Sequence, residues 1–184
     1  MNTKTMHAYI GNISLWKLVN MVPFVFAFHE FEEWNILSWH RRHQSNIPDV
    51  ADIDLRTIFI VMIVLVFLFF SVAKIVKNKK VSAYFISPVL SIMLYNGLVH
   101  LYWSIYFFTY SPGLIFGFFI GVPLLSIIFY KTVREQLLTK SSLVILMAIV
   151  LFMLAHAISL GDILESGIVN AMLLGKTLSA LIWY

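Results

Sequence analysis

Apolar runs of bilayer-crossing length recur along this chain, and few folds other than a membrane-embedded helix bundle tolerate them. The purest, Ile58 to Phe70, contains no polar side chain. An α-helix rises about 1.5 Å per residue, so roughly 20 apolar residues cover the ~30 Å hydrocarbon core of a bilayer. Spans are expected at about Ile13–Leu37 (with Pro23 as a kink point), Ile53–Val76, Val81–Phe108, Leu114–Tyr130 and Ser142–Leu160. The stretch Ile168–Tyr184 is shorter and carries Gly175 and Lys176, which leaves crossing and lying against the bundle both open. No internal repeat, low-complexity tract or linker divides the chain. The expected fold is therefore all-α, a polytopic transmembrane helix bundle of five to six spans in a single domain, residues 1–184.

Charge agrees with that reading. Only 12% of the 184 residues are charged and 60% are hydrophobic, whereas a soluble domain carries about 25% charged residues. A net charge of +4 does not point to nucleic acid, because the basic residues cluster at Lys74–Lys80 and Lys131–Lys140, between apolar runs. Such clusters mark the cytoplasmic side of a membrane protein. The N-terminus with Lys4 then lies inside, and the segments Trp39–Asp54, Thr109–Gly113 and Gly161–Gly167 lie outside. The expected location is the bacterial inner (plasma) membrane. The first apolar run lacks a small-residue cleavage site and reads as a retained span. No cysteine is present, which excludes disulfides, thiolate ligands and cysteine nucleophiles.

Ionisable residues inside these runs are the functional signal, since charge in hydrocarbon is costly and rarely idle. The first run ends in His29-Glu30-Phe31-Glu32-Glu33. Glu32 and Glu33 follow His29 at i+3 and i+4, spacings that share one helical face. Glu30 points off that face and is expected to be solvated or paired. His100 and His156 lie deep in the third and fifth runs. From the outer helix ends, His29 and His100 are each roughly 12 Å deep and His156 roughly 6 Å, so all three fall in one half of the membrane. Asn96, four residues before His100, is placed to orient that imidazole. If the first helix continues, His40 and His43 extend the His29 stripe towards the surface. The bland readings are a helix end for the motif, core histidines for His100 and His156 (with Ser159 as partner), a headgroup-binding segment for His40 and His43, and a cap for Asp162. Tyr110-Ser-Pro-Gly113 reads as a tight interhelical turn.

His29-Glu-Phe-Glu-Glu33, placed in a first span and followed by Asn96-Gly-Leu-Val-His100 and Tyr110-Ser-Pro-Gly113, resembles the HXXEE family of small integral membrane proteins. The likeness runs from about Val22 to Val133. The family is functionally uncharacterised, so the resemblance marks the motif as the site and implies no reaction.

The chemistry these residue types fit best is a divalent metal centre, because ionised Glu and neutral His are the usual ligands and the cation offsets the carboxylates. His29, Glu33, His100 and His156 are the candidate ligands, and Glu32, Glu33 and Asn96 the candidate catalytic residues. One zinc with an open position implies a hydrolase with a spare Glu as base. A di-iron centre, drawing on His40 and His43, implies oxidation. The expected substrate is lipid-like or another hydrophobic small molecule, met among membrane lipids. Two alternatives stay open: a metal-free proton-transfer isomerase or cyclase, with Tyr102, Trp103 and Tyr106 facing a cationic intermediate, and a non-enzymatic transporter or lipid-binding protein.

Overall fold

Helices follow the apolar runs closely. The computed structural model describes residues 13–43, 47, 49–159 and 172–182, with 157–159 as backbone only. The helices are α1 (Leu15–Glu32), α2 (Ile36–His43), α3 (Asp52–Ile75), α4 (Lys79–Tyr106), α5 (Leu114–Arg134), α6 (Lys140–Ser159) and α7 (Met172–Ile182). No strand occurs among the described residues. Three helices, α3, α4 and α5, are long and apolar enough to cross a membrane. The other expected spans are weaker by the same measure: α1 carries Lys17, Glu30 and Glu32, and α7 is short.

The first expected span is not one helix. α1 stops at Glu32, the chain turns through Glu33–Asn35, and α2 begins at Ile36. Asn35 supplies the reason. Its carbonyl accepts from the Ser38 hydroxyl and backbone N–H, a local alternative to the helical ladder. Arg56 of α3 then fastens the turn, donating to the Asn35 side chain at 2.8 Å and to the Trp34 carbonyl at 3.3 Å. The continuous stripe from His29 through His40 to His43 therefore does not form. His40 and His43 instead join an aromatic cluster with Trp39, Trp103 and Phe107.

α1 and α4 both pack against α5, with α3 on α1 and α4, and α6 against α4 and α5. One buried apolar cluster (Leu18, Val22, Leu90, Leu94, Leu125, Ile128) occupies the end of the bundle where α1 begins. A second (Ile36, Leu37, Trp39, Ile58, Val99, Trp103, Met172) occupies the other. Along α1 and α4 the polar residues His29, Glu33, Asn96 and His100 fall at the junction of the two. α7 reaches the second cluster: Ser179 donates to the Asp54 carboxylate, and Gly175 lets the helix backbone close on that of Asp54. The stretch after Ile168 thus presents, where described, a helix packed on the start of α3.

α5 is unusual in its first half. Leu114–Gly121 is wound as a π-helix and gives way to an α-helix at Val122. Pro123 sits at that change, where it has no N–H to donate and its ring crowds the carbonyl four residues earlier. π-helical segments of this kind concentrate at functional sites.

Candidate metal centre

The site is assembled from the C-terminal ends of α1 and α4 and the turn that leads into α5. His29, Glu33 and His100 are all buried, and one ligand atom from each lies within 4.8 Å of the others. Glu33 Oε1 is 2.6 Å from His100 Nε2 and 3.4 Å from His29 Nε2. The two rings meet edge to face with centroids 5.0 Å apart.

Each imidazole is aimed by its other nitrogen. His29 Nδ1 faces the Gly113 carbonyl at 3.2 Å; a carbonyl only accepts, so Nδ1 carries the proton and Nε2 keeps its lone pair. That lone pair accepts from the Asn96 amide at 3.1 Å. His100 Nδ1 lies 3.1 Å from Ser111 Oγ, whose own hydroxyl donates to the Pro112 carbonyl. His100 Nδ1 is therefore also a donor. Both Nε2 atoms are left facing Glu33. This is the arrangement found around metal-binding histidines, with one nitrogen fixed by an oxygen acceptor and the other presented to the ion. Without an ion, His100 Nε2 and Glu33 Oε1 at 2.6 Å must share a proton.

The Tyr110–Gly113 turn is therefore more than a connection. It brings both acceptors, and Gly113 brings empty space as well. At φ 93° Gly113 holds a left-handed conformation, and a Cβ there would fall 2.6 Å from Glu33 Oε1 and 2.7 Å from Cε1 of each histidine. Below it, Gly97 of α4 and Gly117 of α5 let the two helices touch: a Cβ on Gly97 would stand 2.4 Å from the Gly117 carbonyl oxygen.

Glu32 performs a different task. Its carboxylate accepts from the backbone N–H groups of Ile115 (3.0 Å) and Phe116 (2.9 Å) and from the Tyr110 hydroxyl. It thus caps the start of α5, where helical N–H groups lack partners and attract negative charge. Desolvation, and then the bond to Glu32, hold the Tyr110 phenol above its ordinary range.

Residues 20–129, more than half of the chain, match the family described as a protein of unknown function with HXXEE motif. The chain belongs to the HXXEE family. No curated protein and no solved structure matches it. In this HXXEE chain the signature splits by role: His29 and Glu33 face the centre, while Glu32 faces α5.

Several expectations need correction. His156 does not join the site; it is exposed on α6, stacked on Phe152 four residues earlier, on a face shared with the exposed Ile145 and Ile149. Its depth was matched, but its helix turns it outward. Asn96 orients His29 rather than His100, which takes Ser111 instead. Glu30, expected to be solvated or paired, is buried, beside Glu33. Trp103 does stand edge-on to His100, at 5.2 Å. Asp162 and the Ser159 side chain lie outside the described residues. Ser111, Gly113 and Gly117 were not expected at the site; the Ser-Pro-Gly block was the only signal for the first two, and Gly117 had none.

Proposed function

We propose that this HXXEE protein is an integral membrane protein in which His29, Glu33 and His100 bind one divalent metal ion, zinc or iron, at a centre that transforms a lipid-like molecule. The observation that carries this reading is the pair of anchored imidazoles, both presenting Nε2 to one buried carboxylate. Two histidines and one carboxylate, leaving positions for water or substrate, form a ligand set of hydrolytic zinc and of oxygen-activating iron sites. Ligands about 2.1 Å from a tetrahedral ion lie about 3.4 Å apart. The His29–Glu33 separation already has that value at 3.4 Å, and the His100–Glu33 pair opens from 2.6 Å on binding. A single ion is favoured over a di-iron pair because Glu32 is engaged by α5, and both nitrogens of His43 by Trp39 and Thr109. The outward apolar faces of α3, α4 and α5 suit a hydrocarbon surrounding.

Elemental analysis of protein purified without added metal tests the proposal. One equivalent of zinc or iron is expected, lost in His29→Ala and His100→Ala and kept in His156→Ala. Zinc supports a hydrolase and iron an oxidative enzyme. Metal retained in both site variants sinks the centre. A metal-free protein supports the second reading, proton transfer through the directly bonded His100–Glu33 pair, which the 2.6 Å contact favours.

A further inference from the structure

A narrow cleft opens beside the centre between α1, α4 and α5. Val22 and Phe26 of α1, Met93 of α4 and Leu124 of α5 form its walls, and among the described residues only His29 and Asn96 bring polar side chains to it. Among the described residues, no Lys, Arg, Asp or Glu lines it. Gly117 and Gly121 form part of the α5 wall, where side chains would narrow it. It is narrow, so at most one hydrocarbon chain can lie along it, the greater part of that chain at its open mouth.

We infer that the cleft binds a single-chain lipid ending in a neutral oxygen-bearing group, a hydroxyl, aldehyde, ester or amide, with that group at His29 and Asn96. This rests on the reading of His29, Glu33 and His100 as the reaction centre. A phosphate or sulfate head would be desolvated there without a cationic partner, an arrangement that burial penalises heavily. A neutral oxygen needs only one donor, and Asn96 has one within reach: its amide now donates to His29 Nε2 at 3.1 Å. An ion on that nitrogen would displace the amide and turn its N–H towards the cleft it already lines. The apolar walls then act as a measure of chain, and the polar end fixes which carbon stands at the centre.

The test uses a diazirine-bearing hexadecanol and the matching hexadecyl phosphate, photolysed with the full-length protein in phosphatidylcholine nanodiscs. The alcohol is expected to label peptides containing Val22–Phe26 and Leu124–Leu125, at least fivefold more strongly than the phosphate. Leu124→Trp, and independently Val25→Trp, are expected to cut labelling by hexadecanol at least fivefold while sparing a diazirine octanol. Labelling outside the cleft, equal labelling by the phosphate, or indifference to both tryptophans overturns the inference. Wild-type label positions decide the matter even if neither variant folds. The readout needs neither turnover nor metal. A labelled cleft in metal-free protein would therefore fail the metal centre alone, and an unlabelled cleft in metal-loaded protein would fail only the lipid inference.

Discussion

His29 donates its Nδ1 proton to the carbonyl of Gly113, 84 residues further along the chain, across 3.2 Å. This single bond fixes the tautomer of the signature histidine and ties α1 to the turn before α5. With Ser111 doing the same for His100, one four-residue turn orients both imidazoles.

Ser111→Ala removes the oxygen acceptor of His100 Nδ1 while leaving all three ligands in place. Loss of such a partner weakens metal binding about 10- to 100-fold. Competition against a chromophoric chelator is expected to show that drop, with stability reduced by about 1–3 kcal/mol because the buried His100 Nδ1–H loses its acceptor. Unchanged affinity would show that Ser111 merely packs.

Gly113→Ala is expected to be far more damaging than its single methyl suggests. The left-handed backbone costs about 1–2 kcal/mol for a residue with a Cβ. The methyl would also stand within 2.7 Å of Glu33 and both imidazoles. Metal content should fall towards zero and the unfolding temperature should drop. A variant that keeps its metal would place Gly113 away from the centre.

Glu32 and Tyr110 give a test based on pH. The folded phenol titrates above its unfolded value of about 10, so the Tyr110–Glu32 bond contributes stability below that pH and loses it as pH rises through the folded value. Difference absorption between wild type and Tyr110→Phe should show a phenolate transition above pH 10, returning towards the ordinary value in Glu32→Gln. Glu32→Ala, which also uncaps Ile115 and Phe116, should cost about 2–3 kcal/mol while leaving the metal ligands intact. Metal loss in a folded Glu32→Gln would instead make Glu32 a ligand.

Gly97→Ala drives a methyl against the Gly117 carbonyl and must separate α4 from α5. Overpacking of this kind costs about 1–3 kcal/mol. Gly117 also abuts His29, so metal affinity should fall together with thermal stability. A loss of stability without any loss of metal would uncouple the helix crossing from the centre.

How far the sequence could be read is clear from particular residues. The bounds of α3, α4, α5 and α6 follow the apolar runs within a few residues, because hydrocarbon length and helical rise are both written into composition. The shared depth of His29 and His100 is legible for the same reason. Azimuth is not: a helix turns about 100° per residue, so which neighbour a side chain faces depends on the packing of the whole bundle. That is why His156 looked like a ligand and faces outward, and why Asn96 serves His29. The break at Glu33–Asn35 is fastened by Arg56 from another helix, which no local pattern announces. Ser111 and Gly113 were hidden for a further reason. Ser, Pro and Gly together suffice to explain a turn, so nothing asked for a second role.

The split between ligands and their acceptors bears on how related chains should be recognised. A fragment that ends at Thr109 keeps the whole pentapeptide, Asn96 and His100, yet has neither oxygen that aims the imidazoles. Conversely, a chain with a residue other than glycine at the position of Gly113 would carry the signature and fill the space beside Glu33 and the two imidazoles. The working unit is thus a discontinuous one, a histidine and glutamate near one end read together with Ser-Pro-Gly some 80 residues later. The five letters alone say where to look; the distant turn decides whether there is a site.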